Sequence, residues 1–117
     1  MISTQGRIFL SLFIRIYYTQ YIMFVGVLTI QLQLSGCKSL KEKRSRIKPL
    51  IARLHREFNI SVSELDQQDA WGESTLGCVI ISNNHQFSEN ALQSVLVWIN
   101  KYWPDVTIID DHIEIIQ

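Results

Sequence analysis

The chain has little of what most familiar chemistry requires. Its two cysteines, Cys37 and Cys78, lie far apart with no CxxC pair and no zinc-ligand spacing, so reduced thiols in a cytoplasmic protein are the default expectation. The three histidines, His55, His85 and His112, are scattered, and there is no glycine-rich phosphate loop, nucleophile elbow or HExxH helix. These residues identify no catalytic group, no metal ligand, no cofactor and no small-molecule substrate. Prolines are scarce as well, and the two present, Pro49 and Pro104, act as punctuation. With 117 residues, 47% apolar and 19% charged, the chain describes one soluble domain. Folding at that length buries about two-thirds of the surface, so neither a disulfide nor a metal is needed to hold it.

A membrane-length apolar run is also missing. Residues 1–22 carry many large apolar side chains and no acid, but Arg15 interrupts the run short of the ~20 residues a span requires. No small-residue cleavage site precedes Met23. This predicts an extension over 1–22 outside the fold and a domain over 23–117. A peripheral membrane anchor is the sharper alternative reading of the extension, and a membrane partner is not expected for the domain.

Net charge is zero, from 11 basic and 11 acidic residues, yet the two signs are segregated. Lys38, Lys41, Lys43, Arg44, Arg46, Lys48, Arg53 and Arg56 stand against the single acid Glu42, whereas residues 57–117 contain Lys101 as their only strong base. A neutral sum would argue against an anionic partner; a dipolar chain does not.

Hydrophobic periodicity supplies the elements. Residues 24–34 alternate, with Leu28, Ile30, Leu32 and Leu34 on one face and Val27, Thr29, Gln31 and Gln33 on the other, which predicts a strand with one wet side. Ser39 and Glu42 have capping-box spacing, and the stripe Leu40, Ile47, Ile51, Leu54, Phe58 predicts a helix over 40–57. Pro49 inside it costs ~3 kcal/mol and predicts a kink near 45–49. Strands follow at 59–66 and 73–82, then a helix whose stripe Phe87, Ala91, Val95, Trp98, Tyr102, widened by Leu92, Leu96 and Ile99, ends at Pro104, and a last strand over 106–116. The order β-α-β-β-α-β is that of a ferredoxin-like α+β plait, a four-stranded antiparallel sheet with two helices on one face.

Two segments are distinctive: Ser39-Leu40-Lys41-Glu42-Lys43-Arg44, and Glu64-x-Asp66-x-Gln68-Asp69-x-Trp71 running into Thr75-Leu76-Gly77. With them the chain from Met23 onward resembles the bacterial YlxP-like family, domain of unknown function 503. The resemblance implies a small ferredoxin-like cytoplasmic protein. Members are often encoded near genes for translation initiation and ribosome maturation, which points to RNA or ribosome association without assigning an activity. The family-motif positions Glu64, Asp66, Gln68, Asp69 and Trp71 have no known role. Residues 1–22 lie outside the family's pattern, and Pro49 stands where a helix former is expected.

The basic helix is the strongest functional feature. On a wheel centred on Leu40, Ile47 and Ile51, the cations Lys41, Arg46, Lys48, Arg53 and Arg56 project to solvent, with Lys43 and Arg44 at the core edge, and the helix start at Ser39 offers a phosphate its free N–H groups. All eight cations from Lys38 to Arg56 are therefore candidate contacts for RNA or a ribosomal particle in a non-enzymatic binding protein. The bland alternative is a solvated face that balances the acidic half. The third strand has no aromatic side chain to stack bases, so contact through phosphates is expected. Val79 and Ile81, if outward, favour a homodimer through the sheet. Glu64, Asp66 and Asp69 form the least supported candidate, a carboxylate-based enzyme, with pairing to Arg44 or Lys43 at the helix edge as their structural alternative, while Trp71 reads as a packing anchor.

Overall fold

A computed structural model describes residues 21–65 and 70–117. The elements are β1 (Phe24–Gln33), α1 (Leu40–Glu57), β2 (Ser61–Glu64), β3 (Glu73–Ser82), α2 (His85–Tyr102) and β4 (Thr107–Ile116). The sheet order is β2-β3-β1-β4, with every neighbouring pair antiparallel. This is the ferredoxin-like plait, with the two helices on one face of the sheet. The expected extension over 1–22 falls almost wholly outside the described residues, as do Asp66, Gln68 and Asp69.

Alternation along β1 decides which face is inside. Leu28, Ile30 and Leu32 are fully buried, and on β3 Leu76, Cys78 and Ile80 point the same way. The helices close this layer with Ile47, Leu50 and Leu54 from α1 and Leu92, Val95, Leu96 and Ile99 from α2. Truncating any one fully buried Leu to Ala typically costs about 2–5 kcal/mol, because the removed methyls leave a cavity. Gly26 lies where this layer is tightest. A Cβ there would stand 2.9 Å from side-chain atoms of both Ile80 and Leu92.

Both helices bury part of the apolar stripe predicted for them. On α1 the buried ladder is Lys43, Ile47, Leu50, Leu54, with Leu40 and Ile51 only half-buried. On α2 it is Ser88, Leu92, Val95, Leu96, Ile99, leaving Phe87 and Tyr102 exposed. Both cases have one cause. Each helix packs the ladder that reaches the sheet, and the wider apolar stripe visible in the sequence extends past the contact on one flank.

The termini of the helices are conventional. Ser39 Oγ accepts from the Glu42 N–H at 3.0 Å and Asn84 Oδ1 from the Phe87 N–H at 2.9 Å. α1 continues through Pro49 as one helix. Pro49 and Ser45, whose carbonyl loses its donor, are both exposed, so water can take the missing bond. The turn before α1 is made by Gly36, whose φ of 74° is a left-handed conformation natural to glycine.

Both sheet edges are blunted. β2 has four residues, and β4 carries exposed Asp110, Asp111, His112 and Glu114 and a register shift opposite Gln31 and Leu32.

Candidate nucleic-acid interface

The eight predicted cations divide into two groups. Lys38, Lys41, Arg44, Lys48 and Arg56 are exposed and make no ion pair among the described residues. Along α1, Lys41, Arg44 and Lys48 follow one another at helical spacing, and Arg56 lies two turns further on the same outward side. No acid of α1 interrupts them, because Glu42 and Glu57 both look elsewhere. The Glu42 carboxylate accepts the Lys38 backbone N–H at 2.9 Å, and Glu57 faces Arg53 at 3.4 Å. A carboxylate therefore already sits at the start of the helix, where the sequence suggested a phosphate. The cationic surface is the flank, not the tip.

The other three are occupied within the fold. Lys43 is 5% exposed, which corrects its inclusion among the candidate nucleic-acid contacts. It shares the buried ladder with Ile47, Leu50 and Leu54. Its ammonium donates to the Ala70 carbonyl at 3.2 Å and lies 3.8 Å from Glu64 Oε2, which also accepts from Ser74 Oγ at 2.6 Å. The two segments that carry the family resemblance thus meet in space, and what they build there is a polar fastening between α1 and the β2–β3 connection. The spacing 43-47-50-54 was the available signal for this, masked by a wheel centred one step away.

Arg46 also departs from expectation. Its guanidinium is drawn inward, with Nε 2.9 Å from Asp105 Oδ2, one terminal nitrogen donating to the Asp105 carbonyl at 2.8 Å and the other to the Ser35 carbonyl at 2.9 Å. The hydrogen bond and charge of Asp105 raise its pKa above the ordinary arginine value. It joins the β1–α1 and α2–β4 connections. Arg53 lies 5.5 Å above the Trp98 ring, on the flank that faces α2.

Opposite the helices, the open sheet face has two halves. Val25, Val27, Val79, Ile81 and Ile116 lie together in register at one end, with Val79 40% and Ile81 65% exposed. The other end is polar, a shallow depression of about 250 Å³ lined by Thr29, Gln31, Thr75, Asp110, Asp111 and His112. No aromatic side chain stands on the central strands of this face.

Trp71, expected as a packing anchor, is 46% exposed where the connection enters β3. Cys78 is buried in the core, and burial pushes its thiol up to about 11. Among the described residues no three of His, Cys, Asp and Glu come together to hold a metal ion. No helix among them is long and apolar enough to cross a membrane.

A family model described as "Protein of unknown function (DUF503)" matches residues 25–113, nearly the whole of this fold. The chain belongs to the DUF503 family. It is 38% identical over 64 residues to the uncharacterized protein YlxP of Bacillus subtilis (strain 168), covering 55% of this chain and 70% of that one. Among solved structures, the de novo designed protein Foldit4 aligns at 18% identity over 81% of this chain and 97% of its own, with a TM-score of 0.48. A second designed protein, Ferredog-Diesel, aligns at 12% identity over 80% and 84%, with a TM-score of 0.37.

Proposed function

We propose that this DUF503 member is a non-enzymatic binding protein that engages structured RNA or a ribosomal particle through the exposed flank of α1. One observation carries the reading: Lys41, Arg44, Lys48 and Arg56 share an outward surface with no carboxylate partner among the described residues, while the exposed acids Asp110, Asp111 and Glu114 stand on β4. Like charges on one helix repel each other, a cost that a polyanion relieves. These four charges from one helix neutralise phosphates with no backbone ordering cost, leaving only the side-chain freedom to be lost.

The test is co-sedimentation of the protein with ribosomes, together with binding to structured RNA over a series of salt concentrations. The triple variant Lys41→Glu/Arg44→Glu/Lys48→Glu changes only exposed positions and is expected to fold normally, to lose binding, and to reduce the slope of log affinity against log salt by about 2–3. Unchanged co-sedimentation of that variant ends the proposal.

A second reading rests on a different surface. The apolar strip of Val79, Ile81 and Ile116 on the open sheet favours self-association through that face, in a homo-oligomer with no need of RNA.

A further inference from the structure

The aromatic platform missing from the sheet is found between the helices. Trp98 and Tyr102 of α2 lie 5.7 Å apart, and Phe58, the residue that caps α1, meets Trp98 edge to face at 6.3 Å. With Gln93, Ser94, Val97 and Lys101 they line an open groove of about 400 Å³, large enough for a nucleobase or two. Tyr102 is 55% exposed and Val97 65%.

The chemistry of the lining distinguishes this groove from an apolar slot for a protein helix. Such a slot takes aliphatic anchors in an aliphatic wall, whereas Val97 is the one aliphatic residue here and the rest are rings, amide, hydroxyl and ammonium. A cation stands over each of two rings, Arg53 over Trp98 at 5.5 Å and Lys101 over Tyr102 at 5.2 Å. Trp98 is also stacked on Trp103 at 6.1 Å, so it backs the groove, and the exposed Tyr102 is the ring a base would cover. Arg53 also lies one turn from Arg56, so the groove continues directly from the cationic flank of α1. Flat π faces, donors and acceptors for base edges, and positive charge at the rim are the combination that holds an unstacked nucleotide.

We infer that the Phe58–Trp98–Tyr102 groove takes an unpaired base, stacked on Tyr102, of an RNA whose phosphates run along α1. This rests on the RNA reading above and adds to it a substrate class: RNA with a single-stranded loop or bulge, in preference to continuous duplex. A polyanion held by charge alone would not discriminate between the two.

The experiment compares a labelled RNA hairpin bearing an unpaired uridine loop with the blunt duplex of its stem, titrated by fluorescence anisotropy against the full chain. The wild type is expected to prefer the hairpin. Tyr102→Ala should weaken hairpin binding about 5- to 150-fold while leaving the duplex within about twofold, and Tyr102→Phe, which keeps the ring, should retain most of the preference. Val97→Glu, a carboxylate placed at an exposed position of the same groove, should repeat the loss. Both sites are on the surface, so circular dichroism and thermal midpoints should match the wild type. Equal effects on the two RNAs, or none on either, with the wild type binding both, would overturn the groove while sparing the cationic flank. Failure of the wild type to bind either RNA would remove both. Selective loss of binding to an amphipathic peptide, with RNA binding untouched, would reassign the groove to a protein partner.

Discussion

Lys43 shows how far a single residue can depart from its apparent class. Read as one of eight cations, it belongs to the interface; read as the first rung of 43-47-50-54, it belongs inside. The structure follows the second reading, because three apolar rungs reaching the sheet carry the fourth with them, and the Ala70 carbonyl and the Glu64 carboxylate meet the ammonium there. Removing that ammonium takes the side-chain donor from the Ala70 carbonyl and the counter-charge from the partly buried Glu64 carboxylate, which keeps its hydrogen bond from Ser74. Lys43→Met is therefore expected to lose about 1–3 kcal/mol in urea denaturation, and Lys43→Met/Glu64→Gln to lose less than the two single changes added together. Additive losses would show that the two side chains are neighbours without energetic coupling. Arg46 teaches the same lesson from the other flank. Its partner Asp105 is 59 residues away, so no local pattern could have shown that this guanidinium was already engaged.

Among the elements, periodicity was a sound guide to existence and order, and a weaker one to rotation. The strand over 73–82 was legible to the residue, because alternation through Leu76, Cys78 and Ile80 ends in the turn residues Asn83 and Asn84. The helices were legible in extent. Their buried faces cover only part of the predicted stripes because Leu40, Ile51, Phe87 and Tyr102 are apolar without being central to the core, and a wheel weighs every apolar residue alike. That difference hid the groove, since Tyr102 reads as core in the sequence and is exposed in the fold. Pro49 tests the energetics of α1 separately from its contacts. Pro49→Ala restores a backbone donor to Ser45 and a better helix former at an exposed position. It should stabilise the fold by about 1–3 kcal/mol, after allowance for the unfolded chain's regained freedom. Chemical denaturation reads this directly, and a loss of stability would mean that the ring of Pro49 makes packing contacts of its own.

The whole molecule separates its properties by layer. The helical layer carries the positive flank and the aromatic groove; the sheet layer carries an apolar strip at one end and a polar depression with Asp110 and Asp111 at the other. Charge segregation along the sequence was the clue to the first division, and it survives in three dimensions through Lys41, Arg44, Lys48 and Arg56, although Lys43, Arg46 and Arg53 are engaged by Glu64, Asp105 and Glu57. The sheet strip makes a distinct forecast. Association through Val79, Ile81 and Ile116 would be driven by apolar burial, so sedimentation velocity should find a dimer that persists at high salt and dissociates in Ile81→Lys. A wild-type monomer at every salt and protein concentration removes the self-association reading and leaves the α1 flank unaffected.

The pairing of Val25 with Ile116 has a practical corollary. Strand β4 finishes where β1 begins, next to Ile81, so a purification tag or fluorescent protein fused after Gln117 would emerge over the apolar strip and mask it. A reporter inserted instead near Pro104, at the opposite end of the sheet, keeps that strip open to solution. Measurements of oligomeric state made with the two fusions should disagree if the strip is sticky, and the disagreement would itself locate the contact.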